Sequence, residues 1–306
     1  MTSTTTSSQP VIKWSGSKRL QASKIVSYFP AFDTYYEPFV GGGSVLFEAK
    51  PQKAICGDIC KPLIEFWKLL QTHPRSLITK YTESWNRLQK EGYTYYYFVR
   101  DRFNNDNNPY DLLFLSRTCV NGLIRFNKEG RFNNSLHHTR RGIHPMKMAK
   151  IILEWSAKMK GFEFICGDYR DTTKTATAKD FVYLDPPYFN TKGRYYGRID
   201  FDKFLEYLHS LRDRGVRFAL SFDGTRGDRQ YLANVPRELY KHYFLLDSGN
   251  STFRKVIDNK VEGVKESLYI NYELRVKPDL RSYSINTGSS IVSSSSARLV
   301  SPNSSE

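Results

Sequence analysis

Four consecutive residues carry the clearest chemical signal in this sequence. They are Asp185, Pro186, Pro187 and Tyr188, and they directly follow an apolar run at 181–184. The two prolines fix the backbone and have no N–H to donate, so their carbonyls remain as acceptors beside an ionised carboxylate. Such acceptors can hold both hydrogens of an amino group and turn its nitrogen lone pair towards an electrophile, while the tyrosine ring offers a face for a stacked base. The alternative is a rigid turn that ends a strand with a capping aspartate.

A glycine-rich segment and an acidic residue downstream could bind a nucleoside. Residues 37–44 read EPFVGGGS, and the glycines let the backbone turn tightly and approach a ligand that a Cβ atom would exclude. Asp58 ends the next apolar run, fifteen residues beyond Gly43, where a carboxylate can accept hydrogen bonds from both hydroxyls of a ribose. Both features also have structural interpretations, namely a packed strand-to-helix turn and a helix cap before Lys61.

A third group lies near the N-terminus, where residues 13–18 read KWSGSK. Seen in isolation, Trp14 would be a core residue and Lys18 a solvated surface charge. Their position ahead of the glycine-rich segment makes them candidates for the same site.

Alternating strands and helices are predicted to position these groups. Apolar runs typical of strands lie at 35–39, 54–56, 162–166, 181–184, 216–222 and 268–272. Between them, apolar residues recur at helical spacing, as in Leu63, Phe66, Trp67 and Leu70, and in Phe204, Leu208 and Leu211. A short helix is also expected over 45–49. This alternation predicts an α/β protein with a mostly parallel sheet.

The stretch from 74 to 150 breaks this rhythm and is interpreted as an inserted module. It is aromatic and rich in asparagine, and helices are expected around 95–103 and 111–119. Residues 122–133 (GLIRFNKEGRFN) alternate around a glycine-containing turn signal, which predicts a β-hairpin. Between 117 and 147 there are seven Lys or Arg residues and one Glu. Such a basic stretch fits either a solvated face or contact with a polyanion.

Composition narrows the class of protein. A chain of 306 residues can bury a large core, and its formal net charge of +15 favours nucleic acid as a partner over a membrane surface. No run approaches the roughly 18 apolar residues of a membrane span, and the Ser/Thr-rich start lacks the apolar stretch of a signal peptide. We therefore expect a soluble, cytoplasmic protein. Four scattered cysteines without a C-x-x-C pair favour neither disulfides nor a zinc site.

Five motifs occur together in a fixed order: KWSGSK, EPFVGGGS, GDI, RTCVNGLIRFNKEGRFN and LDPPY. In this order they resemble the Dam-type (D12 class) adenine-specific DNA methyltransferases, over about residues 12–272. The resemblance implies a Rossmann-like methyltransferase sheet, S-adenosylmethionine as the cofactor and double-stranded DNA as the partner. The cofactor-binding residues that it implies are Trp14, Lys18, Phe39, Gly41, Gly43, Asp58, Asp168 and Asp185. The catalytic residues that it implies are Asp185, Pro186 and Tyr188.

DNA recognition is expected from the inserted module, which would be mainly helical and carry the hairpin. The residues expected to touch phosphates or base edges are Arg125, Lys128, Asn133, Arg140 and Arg141. The amino group of adenine cannot be reached inside a stacked duplex, so the base is expected to rotate out, at a cost of a few kcal/mol, and residues 190–198 to close over it. Transfer would be a direct displacement in which Asp185 and the Pro186 carbonyl position the amine, without a metal.

Two departures from the family pattern bear on the DNA target. Ser17 stands where a glycine is frequent, and residues 134–138 (NSLHH) replace a more usual Pro-Phe-Gly. Methylation of the cytosine amino group remains an alternative, as does a nucleic-acid-binding protein without catalysis. None of the cysteines follows a proline, so attack on the cytosine ring carbon by a Pro-Cys nucleophile is not expected.

The expected layout has a disordered N-terminus at 1–9, a catalytic domain at 10–73 and 151–276, a recognition module at 74–150 and a disordered tail at 277–306. Eleven serines between 282 and 306 leave too little apolar surface in the tail to offset the entropy of ordering it. A cognate restriction endonuclease system is a possible partner, and no obligate protein partner is evident.

Overall fold

One sheet organises the part of the chain that the structure describes. The computed structural model describes residues 9–139, 141–187, 199–226, 229–230, 235–250 and 263–274, so the expected tail and residues 1–8 lie outside it. The strands are Tyr35–Glu37 (β1), Ala54–Asp58 (β2), Glu163–Cys166 (β3), Phe181–Leu184 (β4), Arg217–Arg226 (β5), Arg229–Gln230 (β6), His242–Asn250 (β7) and Gly263–Ile270 (β8). Their order is β3-β2-β1-β4-β5-β8-β7, and β6 pairs with β5.

The sheet is mostly parallel, which confirms the predicted fold class. Strands β3, β2, β1, β4 and β5 pair in parallel, whereas β8 is antiparallel to both β5 and β7. The chain moves outward from β1 to β3 and then returns to β4 on the other side of β1. Such a reversal of strand order leaves a crevice at the carboxyl ends of the strands, where open α/β sheets bind ligands.

Helices cover both faces of the sheet. They are Ala22–Val26 (α1), Ser44–Ala49 (α2), Lys61–Thr72 (α3), Pro74–Glu91 (α4), Tyr93–Asp106 (α5), Pro109–Thr118 (α6), Pro145–Lys158 (α7), Tyr169–Thr172 (α8) and Phe201–Asp213 (α9). Along β4, Phe181 and Tyr183 belong to the apolar cluster formed with α1–α7, while Val182 and Leu184 belong to the cluster formed with α8 and α9. This period of two places each strand between two cores. The predicted apolar stripes of α3 and α9 are fully buried.

The helices of the predicted insert do not enclose a core of their own. Helices α4 and α6 pack against α3, α4 also packs against α7, and their buried side chains belong to the same apolar cluster as Tyr35 of β1. Helix α7 runs through position 150, where a domain boundary was expected. The division into a catalytic domain and a recognition module stays a prediction.

The predicted hairpin needs correction. Residues 122–133, here called the hairpin segment, turn back at Asn127, whose N–H donates to the Arg131 carbonyl at 2.8 Å. The two arms meet in a single bridge, Phe126 opposite Phe132, and form no paired strands. A second backbone bond joins the arms, from the Asn133 N–H to the Arg125 carbonyl at 3.1 Å, and at the turn the Asn127 amide oxygen accepts from the N–H groups of Glu129 and Arg131.

Several strand predictions differ from the structure in extent. Strand β1 ends at Glu37 rather than 39, because Pro38 has no N–H for the ladder. Strand β8 lies at Gly263–Ile270 rather than at 268–272, and β7 was not predicted. Among the described helices, none is both long and apolar enough to cross a membrane.

Candidate active site

A cavity of about 250 Å³ opens at the carboxyl edge of the parallel strands. It lies where strand order reverses between β1 and β4, and it receives residues from the ends of β1, β2 and β4 and from the loop after β3. All of the predicted cofactor residues line it, together with the predicted catalytic proline: Trp14, Lys18, Phe39, Gly41, Gly43, Asp58, Asp168, Asp185 and Pro186. The structure thus brings together residues from four separate sequence motifs.

An ion pair joins the N-terminal motif to the end of β4. The Lys18 ammonium donates to the Asp185 carboxylate at 2.6 Å and lies 3.5 Å from Glu266 Oε2 on β8. Lys18 is 5% exposed. Burial raises the pKa of the Asp185 carboxyl to about 6, and the nearby Lys18 charge opposes that rise. Near neutral pH, Asp185 is therefore an ionised acceptor at the wall of the cavity.

Glu37 is a cavity residue to which the sequence motif gave no role. It ends β1, is buried, lines the cavity and accepts a hydrogen bond from the Tyr35 hydroxyl at 2.8 Å. Burial raises the pKa of its carboxyl to about 8, and the charge on Asp185 adds to the rise. A mostly protonated carboxyl at pH 7 can both donate and accept a hydrogen bond. The sequence signal that could have identified Glu37 as a site residue is its position at the end of a strand, directly before Pro38 and Phe39.

The glycine loop after β1 is shaped by two tryptophans. Gly41 has a φ of +45°, and a Cβ atom there would lie 2.8 Å from Trp14 Cδ1. Gly43 has a φ of +64°, and its Cβ would lie 3.0 Å from the Trp67 ring, whose Nε1 donates to the Gly41 carbonyl at 3.1 Å. Packing and backbone conformation both require glycine here, and Trp14 lies against the loop as part of the cavity wall.

Asp58 is held below the glycine loop. Its carboxylate accepts from the Gly41 N–H at 3.3 Å and from the Cys60 N–H at 2.9 Å, and burial raises its pKa to about 6 while those donors oppose the rise. Helix α3 begins at Lys61 without a side-chain cap. The alternative interpretation of Asp58 as a cap of α3 is therefore not what the structure shows.

The loop after β3 contributes a fourth wall. Asp168 caps α8 by accepting from the Arg170 N–H at 3.0 Å, and it also pairs with the Arg170 side chain at 2.7 Å. Phe39 and Tyr169 lie with ring centroids 5.5 Å apart. These aromatic faces border a cavity whose rim carries carboxylates, a combination suited to a base and a ribose. Tyr188 and the expected closing loop at 190–198 lie outside the described residues.

The hairpin segment presents two different faces. Ile124 and Phe126 are buried and line the cavity, while Arg125 and Lys128 are exposed. The Arg125 guanidinium donates to the Asn133 side chain across the turn at 3.0 Å. Exposed residues and residues that line the cavity thus alternate along this short stretch of chain. Arg141 is also exposed, whereas Arg140 lies outside the described residues.

Comparisons with known proteins match the sequence of this chain to one family. Residues 14–259 match the family described as D12 class N6 adenine-specific DNA methyltransferase. Type II methyltransferase M.MjaIII of Methanocaldococcus jannaschii is 28% identical over 86% of this chain and 99% of its own length. A DNA N-6-adenine-methyltransferase of Escherichia phage P1 is 31% identical, over 72% of this chain and 30% of its own length. A DNA adenine methylase of Serratia marcescens is 32% identical, over 58% of this chain and 66% of its own length.

Proposed function

This chain belongs to the D12 class N6 adenine-specific DNA methyltransferase family, and on that premise we propose that it transfers a methyl group from S-adenosylmethionine to the exocyclic amino nitrogen of adenine in a short duplex target. The observation that carries the proposal is the common cavity of Asp185, Pro186, Asp58 and the glycine loop. It combines an amine acceptor with the features of a nucleoside site. We propose that it acts on DNA in the cytoplasm, at the nucleoid.

The lining of the cavity fits the proposed cofactor. Asp58 offers carboxylate oxygens to a ribose, and the loop at Gly41 and Gly43 lets backbone approach a ligand where a Cβ atom would intrude. Phe39 and Trp14 offer apolar surface for a base or a methionine chain. Lys18 and Glu37 supply charge and hydrogen-bonding capacity for the amino-acid end. When bound, S-adenosylmethionine supplies an electrophilic methyl group on a sulfonium sulfur.

Asp185 and the Pro186 carbonyl are proposed to hold the target amine. Accepting its two hydrogens would turn the nitrogen lone pair towards the methyl group that bound S-adenosylmethionine would supply for a direct displacement. The methylated nitrogen would lose one proton to the Asp185 carboxylate that accepts its hydrogen bond, from which the proton passes to solvent, and no covalent enzyme intermediate is needed. Lys18 holds the Asp185 carboxylate in one orientation through the 2.6 Å contact. Tyr188 is proposed to stack on the base.

Delivery of the amine requires the adenine to leave the duplex. Unstacking costs a few kcal/mol and is offset by stacking and hydrogen bonds in an enzyme pocket. The hairpin segment is proposed to contact the duplex because Arg125 and Lys128 face outward while Ile124 and Phe126 reach the cavity. Asn133, Arg140 and Arg141 are proposed to join this contact, and the module at 74–150 is proposed as the target-recognition region.

A restriction endonuclease partner is a further part of the proposal. Relatives carry the names Type II methyltransferase and Modification methylase StsI, and such names describe those proteins. For this chain, a cognate endonuclease would cut the same unmethylated target. Sequencing of methylated DNA would define that target.

The test is identification of the product nucleoside. Purified protein is incubated with methyl-labelled S-adenosylmethionine and duplex DNA of mixed sequence, and the DNA is digested to nucleosides. N6-methyldeoxyadenosine as the labelled product is the expected result. Labelled N4-methyldeoxycytidine would overturn the choice of base, and retained DNA binding without label would favour a binding protein without catalysis.

A further inference from the structure

Residues 13–18, here called the strap, contact the hairpin segment. The Ser15 hydroxyl donates to the Ile124 carbonyl at 2.9 Å, across 109 positions of sequence. Beside it, Gly122 packs directly on the Lys13 side chain: its φ is +62°, and a Cβ atom there would lie 2.1 Å from Lys13 Cδ. A hydrogen bond and a close packing contact therefore fix one end of the strap to the hairpin segment.

The other end of the strap is fixed to the reaction centre. The Ser17 hydroxyl lies 2.7 Å from the Ser44 hydroxyl at the start of α2, next to the glycine loop. The Lys18 ammonium contacts the Gly16 carbonyl at 3.4 Å and Asp185 at 2.6 Å. Only Gly16 and Ser17 separate Ser15 from Lys18, so a movement of Ser15 has few backbone torsions in which to be absorbed.

The hairpin segment combines an exposed face with residues of the cavity wall. Arg125 is exposed, while its neighbours Ile124 and Phe126 are buried and line the cavity. The carbonyl that Ser15 holds belongs to Ile124, directly before Arg125 in the chain. A force applied to Arg125 by a duplex therefore acts within one residue of the Ser15 contact.

We propose that Ser15 is a positioning residue that couples duplex binding at the hairpin segment to cofactor binding in the cavity. The inference rests on the proposed function, because it needs both ligands. In the free protein, the Ser15–Ile124 bond holds the hairpin segment against the strap. A duplex that fixes the position of the hairpin segment also fixes the position of the strap. Lys18 and Trp14, which belong to the strap, are then held in the geometry that the cofactor requires. Coupling between two binding sites is reciprocal, so bound cofactor tightens duplex binding by the same factor.

The experiment measures that coupling without turnover. The affinity for S-adenosylhomocysteine is determined by calorimetry with and without the shortest duplex that the wild-type protein methylates, and the ratio of the two dissociation constants is the coupling factor. The wild-type protein is expected to bind S-adenosylhomocysteine more tightly with the duplex. In Ser15→Ala the coupling factor is expected to fall about fivefold, the effect of losing one neutral hydrogen bond.

Ser17→Ala is the matched control, because it removes a hydroxyl from the same strap that bonds to α2 instead of the hairpin segment. It is expected to change the affinity for S-adenosylhomocysteine equally with and without duplex, so that the coupling factor stays at the wild-type value. A thermal unfolding scan of each variant checks that both remain folded.

A coupling factor of one in the wild-type protein, or an unchanged factor in Ser15→Ala, would overturn the inference while leaving methyl transfer intact. Failure of the proposed function gives a different result, since the wild-type protein would then bind no S-adenosylhomocysteine or methylate no duplex. The two failures are thus distinguishable in one set of measurements.

Discussion

The Lys18 ammonium lies 2.6 Å from the Asp185 carboxylate, although 167 positions separate the two residues in sequence. The contact joins the N-terminal strap to the end of β4 and encloses one side of the cavity. It also sets the charge of Asp185, because burial raises the pKa of this carboxyl while the Lys18 charge lowers it. An acceptor for an amine needs the ionised form, so this pair links the geometry of the site to its pH range.

The kcat/KM of methyl transfer should decrease as pH falls through about 6. Protonation removes the Asp185 acceptor, and burial places its pKa at about 6. The charged and titratable groups around it are Lys18, Glu266, Glu37 and Tyr183. The measurement is kcat/KM for duplex at saturating cofactor between pH 5 and 8.

Glu266→Gln provides the sharper form of this test. The negative charge of Glu266 raises the pKa of Asp185. Removal of this charge should therefore shift the acid limb of the pH profile, where kcat/KM falls with falling pH, to lower pH. Glu273→Gln, at a 73% exposed side chain that pairs with Lys241, should leave the limb where it is. A limb that stays in place in Glu266→Gln would contradict the assignment of this ionisation to Asp185.

Glu37→Gln should change how stability depends on pH. Burial raises the pKa of this carboxyl from 4.5 to about 8, so between these values the folded state keeps a proton that the unfolded chain has lost. The contribution of this raised pKa to the free energy of unfolding is complete below pH 4.5 and is lost as pH rises through about 8. Urea unfolding should show similar stability of both proteins at pH 4.5. At pH 8.5 the variant should be more stable by a few kcal/mol, on the order of 1.4 kcal/mol per pKa unit. An equal difference at both pH values would contradict this.

Gly41→Ala should weaken cofactor binding about tenfold, the effect of losing 1 to 2 kcal/mol of aromatic contact. A Cβ atom at this position would lie 2.8 Å from Trp14 Cδ1 and push the ring away from the cavity wall. Gly161→Ala is the control: its φ is also positive, at +82°, but a Cβ atom there meets nothing within 4 Å. Both variants should lose about 1 kcal/mol of stability. Equal cofactor affinity in the two variants, measured by calorimetry, would argue against a role for Trp14 in binding.

Lys128→Ala should weaken duplex binding uniformly across sequences. Lys128 is exposed on the hairpin segment, and loss of one phosphate contact reduces the slope of log K against log salt by about 1. Lys53→Ala removes another exposed charge, directly before β2 and so at the opposite end of the strands from the cavity. Fluorescence anisotropy at several salt concentrations compares them. Wild-type affinity and slope for Lys128→Ala would place the duplex elsewhere.

The order of motifs was enough to predict the cavity, because three of them, EPFVGGGS, GDI and LDPPY, lie at the carboxyl ends of strands of the parallel sheet. Strand β4 lies at Phe181–Leu184, as its unbroken apolar run predicted. The family, the fold class and the enzyme class were predicted correctly from these local signals. They depend on patterns within a few residues, which a single sequence displays directly.

Such local patterns do not predict contacts between elements that are distant in sequence. The Lys18 contact with Glu266 depends on β8 lying beside β5, and neither periodicity nor spacing predicts that order. Strand β7 was not predicted, because its apolar run spans only residues 243–246 and the residues that follow, 247–250 (DSGN), are typical of a loop. The hairpin signal was strong at the turn, yet the backbone pairing stops after one bridge, and the Asn127 side chain rather than its carbonyl accepts from the Arg131 N–H.

The most direct test of the central claim compares Asp185→Ala with the wild-type protein in a single-turnover assay of methyl transfer, with duplex binding measured on the same samples. Asp213→Ala, which truncates a 63% exposed carboxylate, serves as the control. The expected result is that Asp185→Ala transfers no detectable methyl group to DNA while it still binds the duplex, and that Asp213→Ala resembles the wild-type protein. Wild-type transfer by Asp185→Ala would contradict the account.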